Sequence, residues 1–149
     1  MIEKINLEHI LFLDVETVPE QSTFENLSPE TQALWDLKTQ NSRKPEVSPA
    51  EFYERAGIWA EFGKIICISV GFFTFKKGER QFRVTTFFGD EKKLLQDFGN
   101  LLNSHFNHPH HVLCAHNGKE FDFPYLSRRM LVHGIQLPTI LNLSGRKPW

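Results

Sequence analysis

The sequence of 149 residues lacks any apolar run close to the roughly 20 residues that a membrane-spanning helix needs. Its first residues, MIEKINLEH, include acids and no long apolar stretch, so the sequence predicts neither a signal peptide nor a membrane partner. Cysteine is scarce: only Cys67 and Cys114 occur, each inside an apolar stretch, which favours buried free thiols over a disulfide. We therefore expect a cytoplasmic protein.

The sequence also lacks a strong charge of either sign, since its formal net charge at pH 7 is −1. A general coat protein for nucleic acid is usually basic, whereas an enzyme that holds nucleic acid through metal ions in a local groove need not be. The length suits one domain, residues 1–149, which can bury roughly 70% of its unfolded surface. Fourteen phenylalanines predict an aromatic core.

Apolar periodicity and turn residues predict alternating strands and helices. Ser-Pro pairs at Ser28 and Ser48 indicate helix starts within a polar segment, which we expect to be a helical insertion in the same domain. The predicted elements are a strand at 9–14, the insertion at 20–60, strands at 63–75 and 80–89, a helix at 90–106, a strand at 110–117, a helix at 123–134 and a strand at 138–145.

This order predicts an α/β fold with a mixed sheet of five strands. The turn Lys-Lys-Gly-Glu joins the second and third strands as a hairpin, so the first three strands are expected to be antiparallel. The strand–helix–strand–helix–strand order that follows implies right-handed crossovers, which make the last two strands parallel to the first. Helices are expected to flank this sheet.

The stretch ILFLDVET places two acids, Asp14 and Glu16, at the end of an apolar strand. Residues i and i+2 of a strand point to the same side, so these carboxylates face together. Two charges 4 Å apart repel by about 4 kcal/mol at an effective dielectric constant of about 20. No basic residue lies nearby in the sequence, so a divalent cation with oxygen ligands, Mg²⁺ or Mn²⁺, would neutralise the pair economically. A solvated strand end is the alternative.

A second group of polar residues lies in CAHNGKEFDFPYL, where His116 and Asn117 follow a strand and Asp122 begins a helix. A carboxylate at a helix start accepts hydrogen bonds from free backbone N–H groups. If this strand neighbours the first one, Asp122 can meet Asp14 and Glu16 at one edge of the sheet. A simple helix cap is the alternative for Asp122.

These two stretches carry a resemblance to a known family. FLDVET resembles the first motif, Asp-x-Glu, of the DEDD superfamily of 3′–5′ exonucleases, and Asn117, Phe121 and Asp122 fit its second motif. The chain is similar to the proofreading domain of family-B DNA polymerases and to predicted stand-alone bacterial exonucleases. The resemblance implies a ribonuclease H-like fold and a substrate that is the 3′ end of a single-stranded nucleic acid, with DNA favoured over RNA.

The resemblance also implies a two-metal mechanism with Mg²⁺ or Mn²⁺. It implies that Asp14 bridges both ions, that Glu16 binds the ion beside the attacking water, and that Asp122 holds the other. It further implies that Thr17 contacts the 3′ end, that Asn117 lies near the substrate strand and that Phe121 packs beside the site. Arg128 and Arg129 lie off the apolar stripe of their helix, where they could meet phosphates, although a solvated helix face is favoured.

One departure from the family concerns the fourth acid. The superfamily uses a third motif, a late Asp preceded by Tyr or His four residues earlier, whereas this chain has no Asp or Glu after Asp122. We expect the sequence to be a fragment that lacks its C-terminal helix or helices and has little or no nuclease activity by itself. A natural non-catalytic module that binds nucleic acid or a protein partner on the same fold is the alternative.

The sequence disfavours two other hypotheses, a zinc site and a phosphatase fold. Five histidines occur close together, but no Cys-x-x-Cys pair accompanies them, so a solvated loop is favoured over a zinc site. They are His105, His108, His110, His111 and His116. A haloacid-dehalogenase-like phosphatase would need Asp-x-Asp, whereas the second acid here is Glu16, and the predicted hairpin also argues against that fold.

Overall fold

The computed structural model describes residues 6–143. Four strands and four α-helices occur in this range, together with short 3₁₀ turns. The strands are β1 (Ile10–Pro19), β2 (Gly63–Lys76), β3 (Glu79–Phe88) and β4 (Val112–Cys114). The helices are α1 (Pro29–Thr39), α2 (Pro49–Phe52), α3 (Glu91–His105) and α4 (Asp122–Val132). No helix in the described range has both the length and the apolar character to cross a membrane.

The strands form one mixed sheet in the order β3-β2-β1-β4. β1 pairs with β4 in parallel, from Ile10 opposite Val112 to Phe12 opposite Cys114. β2 and β3 form the predicted antiparallel hairpin, in which Lys76 lies opposite Glu79. Lys77 and Gly78 make the turn with φ angles of 54° and 82°, the left-handed conformation of a two-residue hairpin loop. The expectation of a mixed α/β sheet is therefore confirmed.

Two strand predictions need correction. The fifth strand, expected at 138–145, does not form in its described part, because the amides of Leu141 and Asn142 donate to the carbonyl of Pro138 in a turn. Residues 144 and 145 lie outside the described range. The first strand is also longer than predicted, since β1 continues to Pro19, so Asp14 and Glu16 lie within a strand and not at its end.

The chain divides into two compact units. The first comprises the residues up to Glu16 and those from Ile66 onward, and it holds most of the sheet with α3 and α4. Its core includes Leu11, Val70 and the apolar side of α3, where the Phe98 ring meets Phe87 at 6.1 Å between centroids. Asp90 caps α3 as predicted, because its carboxylate accepts from the amide of Lys93 at 3.0 Å.

The second unit, Thr17–Ile65, contains the predicted helical insertion. Ser28 caps α1 and Ser48 caps α2, the latter in a reciprocal capping box with Glu51. Trp35 is fully buried, and its indole N–H donates to the carbonyl of Pro49 at 2.8 Å. The insertion has its own apolar cluster of Leu27, Trp35, Tyr53, Ala56 and Phe62. The assignment of both units to one domain stays a prediction.

The two cysteines are free, and neither is fully buried. Cys67 is half-buried in β2 and Cys114 is exposed in β4. The expectation of buried thiols is therefore wrong. The apolar stretch around Cys114 forms only a short strand at the edge of the sheet, so one face of that strand stays in contact with solvent.

A buried ion pair joins α3 to α4. The Arg129 side chain is 4% exposed, and its Nε donates to Glu91 Oε1 at 2.8 Å while a second nitrogen contacts Oε2. His133 Nε2 lies 2.7 Å from the same Oε2. The expected solvated position of Arg129 is therefore wrong. Glu91 begins α3, where a negative charge also interacts favourably with the helix dipole.

We predict that Glu91→Ala destabilises the protein by about 3 kcal/mol or more, because it leaves the buried Arg129 guanidinium without its carboxylate. Urea unfolding followed by circular dichroism measures this change. Glu120→Ala removes an exposed acid and is the matched control. A loss below about 1 kcal/mol, as at an ordinary surface ion pair, would show that the Glu91–Arg129 contact is not formed.

Candidate functional site

Asp14 and Glu16 lie on the exposed side of β1. Leu11, Leu13 and Val15 alternate with them and are buried, at 0%, 5% and 7% exposure. Asp14 and Glu16 are both exposed. Because side chains alternate along a strand, the two carboxylates share one side, as predicted from their spacing.

Asp122 is the first residue of α4 and is buried, with 3% of its surface exposed. The parallel pairing of β1 with β4 brings the chain after Cys114 to the same region as the chain after Phe12. A turn at residues 115–121 then leads into α4. The predicted position of Asp122, at a helix start after a strand that neighbours the first, is confirmed.

The surroundings of Asp122 favour its protonated form or a neighbouring cation. Burial raises the pKa of Asp122, and the negative charge of Asp14 raises it further. Hydrogen bonds from the backbone N–H groups of Asp122 and Val15, together with nearby His116, act in the opposite direction but are outweighed. Two residues of β1, Val15 and Asp14, therefore influence the pKa of Asp122.

The donor set suits a hard divalent cation, because carboxylate oxygens are the ligands that Mg²⁺ and Mn²⁺ prefer. None of the ion pairs in residues 6–143 engages Asp14, Glu16 or Asp122 with a Lys or Arg. The same residues contain no ready-made group of three acidic, histidine or cysteine ligands for a metal. Asp14 is thus close enough to Asp122 to raise its pKa, and Glu16 follows Asp14 on the same side of β1.

The turn between β4 and α4 explains much of the Asn-x-x-x-Phe-Asp pattern. Asn117 has a φ of 54°, a left-handed conformation that Asn tolerates better than most residues with a side chain. Its carbonyl accepts from the amides of Glu120 and Phe121, at 3.1 and 3.0 Å. Gly118 is buried, and a Cβ there would collide with Ala115 and the Phe123 ring. The backbone role of Asn117 was not predicted.

Phe121 and Thr17 occupy different surroundings. Phe121 directly precedes α4, is half-buried and packs on Tyr125 with ring centroids 5.4 Å apart. Thr17 follows Glu16 in β1, is half-buried and belongs to the second compact unit. Alternation along β1 gives its side chain the direction of Val15 rather than that of the carboxylates.

The two candidate arginines have different surroundings. Arg128 is exposed, as expected, and lies with Lys119 on a groove of about 710 Å³ whose other walls are mainly apolar. Asp14, Glu16 and Asp122 do not line this groove. The Arg129 guanidinium binds Glu91, so this structure does not present it to a phosphate.

The histidines form a ring cluster that includes a residue not predicted. His108, His110 and His111 of the loop before β4 meet His9, with centroids 4.1 Å apart for His9–His110 and 4.8 Å for His110–His111. Burial and the neighbouring His9 and His108 lower the pKa of His110. His9 is distant in sequence, and only the β1–β4 pairing brings it there.

Comparison with known proteins identifies a family. A family model described as a predicted 3′–5′ exonuclease related to the exonuclease domain of PolB matches residues 58–149, which is more than half of the chain. The matched range includes Asn117, Phe121 and Asp122 and begins after Asp14 and Glu16. No curated protein matches the chain.

We predict that Asp122→Asn stabilises the protein in EDTA at neutral pH. Because the pKa of Asp122 is raised by folding, the native state holds more protons than the unfolded state between the ordinary and the raised pKa. Stability therefore falls as pH rises through this window, and the loss persists above it. Asn keeps an acceptor for the Val15 amide without the charge.

Urea unfolding across a pH series measures this effect. The stability difference between Asp122→Asn and the parent should shrink as pH falls. Glu25→Gln, at an exposed position, controls for the loss of one negative charge. A gap that stays constant with pH, or that favours the parent at neutral pH, would contradict the raised pKa.

We predict that Asn117→Ala lowers stability by about 1 kcal/mol, the cost of a left-handed backbone for an ordinary residue. Asn117→Gly should retain stability, because glycine adopts this conformation freely. Thermal unfolding of both variants separates the backbone role from any role of the side chain. Equal losses in the two variants would indicate that side-chain contacts, and not the φ angle, determine the choice of Asn.

Proposed function

We propose a function from one established premise: the chain belongs to the family of predicted 3′–5′ exonucleases related to the exonuclease domain of PolB. We infer that it is a metal-dependent exonuclease domain that acts on phosphodiester bonds at the 3′ ends of single-stranded nucleic acid. DNA is the favoured substrate, because the related domain belongs to a DNA polymerase family.

One observation carries the proposal. Asp122 is buried beside the charge of Asp14, and both burial and that charge raise its pKa. Such a pair is unfavourable unless a proton or a cation neutralises it. Carboxylates with a shifted pKa are common at functional sites. Exonucleases of this kind generally use divalent metal ions, so we propose a divalent ion as the neutralising group.

Three side chains are proposed to hold the metal ions: Asp14, Glu16 and Asp122. When bound, a pair of divalent ions activates a water and stabilises the leaving 3′ oxygen of the phosphodiester. The protein fixes the ligands in advance. Asp122 is buried at the first position of α4, and Asp14 and Glu16 project from one side of β1.

A second candidate function is a non-catalytic module that binds nucleic acid or a protein partner. Residues 123–149 include no Asp or Glu, so they supply no third-motif acid within this chain. With three acids where the superfamily uses four, we propose that this chain alone has little or no nuclease activity. The two functions differ in whether the carboxylates bind divalent ions.

We predict that Mn²⁺ stabilises this chain through Asp14 and Asp122. Free Mn²⁺ at one hundred times its dissociation constant should raise the free energy of unfolding by about 2.7 kcal/mol. Asp14→Ala and Asp122→Asn should lose most of this gain, while Glu25→Gln should retain it. Thermal unfolding with and without Mn²⁺ measures the gain independently of activity.

Activity is tested in the longest native form of the protein. There, Asp14→Ala should reduce Mn²⁺-dependent release of nucleotides from a labelled 3′ end to background. Retained release would refute the role of Asp14. Binding of nucleic acid without Mn²⁺ stabilisation, and without release, would favour the non-catalytic module.

A further inference from the structure

One face of the β2–β3 hairpin presents exposed aromatic side chains. The antiparallel register places Phe73 opposite Phe82 and Phe75 opposite Arg80, so these four side chains share a face, which we call the hairpin face. Phe75 is 63% exposed and Phe82 is 51% exposed. Rings so accessible on a sheet face contribute little to the core, and larger patches of this kind mark interaction sites.

The opposite face of the hairpin packs against a helix. The Phe72 ring lies 6.1 Å from that of Phe106, and the Phe87 ring lies 6.1 Å from that of Phe98 in α3. Arg83 lies opposite Phe72 and so points to this second face. The two faces of one hairpin therefore differ: one belongs to the core and the other presents rings to solvent.

The hairpin face continues toward the candidate site. The Phe12 ring lies 6.2 Å from Phe73 and 5.9 Å from Phe82. Phe12 precedes Asp14 by two positions in β1, so their side chains share a side of the strand and are about 6.5 Å apart along it. The aromatic surface thus runs along the sheet to the carboxylates.

Gly71 leaves room for the Phe82 ring on the hairpin face. A Cβ at Gly71 would collide with the Phe82 ring, so the ring lies across the strand where glycine leaves room. Phe73 and Phe82 pack with centroids 4.8 Å apart. Phe75, nearer the turn, has no ring contact among those found in the described residues, which leaves its face available to a ligand.

Positive charge is concentrated at the turn end of the hairpin. The exposed end of the hairpin carries one acid, Glu79, against four basic residues, although the net charge of the whole sequence is −1. The basic residues are Lys76, Lys77, Arg80 and Arg83, and all four are exposed. Arg80 lies on the hairpin face and Lys77 in the turn, whereas the register places Lys76 and Arg83 on the other face. β3 is an edge strand, and charged side chains on an edge oppose pairing with a second copy. Cations beside exposed rings complement a polyanion with planar groups.

We propose that the hairpin face binds the single-stranded segment of a nucleic acid whose 3′ end lies at the Asp14–Asp122 site. Phe75 and Phe82 stack on bases, and Arg80 contacts the phosphate backbone. Aromatic stacking tolerates any sequence, because every base has a flat face. This inference rests on the proposed function, since it extends the substrate of that site along the sheet.

The test is a binding titration in EDTA, where hydrolysis cannot occur. The probe is a fluorescein-labelled oligothymidine of about 20 nucleotides, longer than the 4–16 nucleotides of typical single-strand sites. Fluorescence anisotropy should show that Phe75→Ala weakens binding by about fivefold or more, the lower limit for loss of one stacked base. Phe75 is chosen because Phe82 also packs on its neighbours.

The matched pair of variants is Arg80→Ala and Arg83→Ala, which remove the same charge from the same strand on opposite faces. Arg80→Ala should weaken binding more and should lower the salt dependence by about 0.7, the value for one phosphate contact to a single strand. Leu131→Ala removes an exposed apolar side chain from α4 and should leave binding unchanged.

Several outcomes would overturn the proposal. These are an absence of oligothymidine binding by the parent, parental affinity in Phe75→Ala and Arg80→Ala, or equal losses in the two arginine variants. Dissociation of a dimer by Phe75→Ala in light scattering, with unchanged oligothymidine binding, would assign the face to a second copy. Because the hairpin variants should retain Mn²⁺ stabilisation, failure here is distinguishable from failure of the proposed metal site.

Discussion

Only three residue pairs join β1 to β4, from Ile10–Val112 to Phe12–Cys114, and the candidate site depends on them. The pairing directs the segments that follow both strands to the same region, where the charge of Asp14 and the amide of Val15 both affect the pKa of Asp122. In an antiparallel arrangement the chain after β4 would leave at the other end of β1. The helix α3 between the two strands makes their parallel direction possible. This direction brings acids that are distant in the sequence to the same region.

The free energy that the buried carboxylate costs is offset by other contacts in the first unit. A buried carboxylate beside a second one destabilises the native state at neutral pH. Several contacts hold α4 and the turn before it: the left-handed turn at Asn117, the close packing of Gly118 on Phe123, and the buried Arg129–Glu91 pair that joins the last turn of α4 to α3. Rigid support of this kind keeps Asp122 in place when no cation balances its charge.

The sequence predicts features that depend on near neighbours along the chain. Strand alternation placed Asp14 and Glu16 on one side of β1, and Ser28, Ser48 and Asp90 marked helix starts that the structure confirms. Features that depend on tertiary contact were missed. Arg129 has the position of a surface residue in its helix, and only its contact with Glu91, 38 residues away, explains its burial. His9 joins the other histidines through the sheet, which no local pattern encodes.

The fifth strand shows a further limit of local reasoning. Pro-Thr-Ile-Leu-Asn-Leu has the β-branched and apolar residues of a strand, yet Pro138 starts a turn in which its carbonyl accepts from Leu141 and Asn142. Strand propensity reflects packing on a neighbouring strand more than a backbone preference, so an apolar segment forms a strand only where a partner edge is within reach and in register. The same dependence on context separates the two faces of the β2–β3 hairpin. Phe72 and Phe75 have identical propensities, but α3 covers only the face of Phe72, and the rings of the other face stay accessible beside the carboxylates.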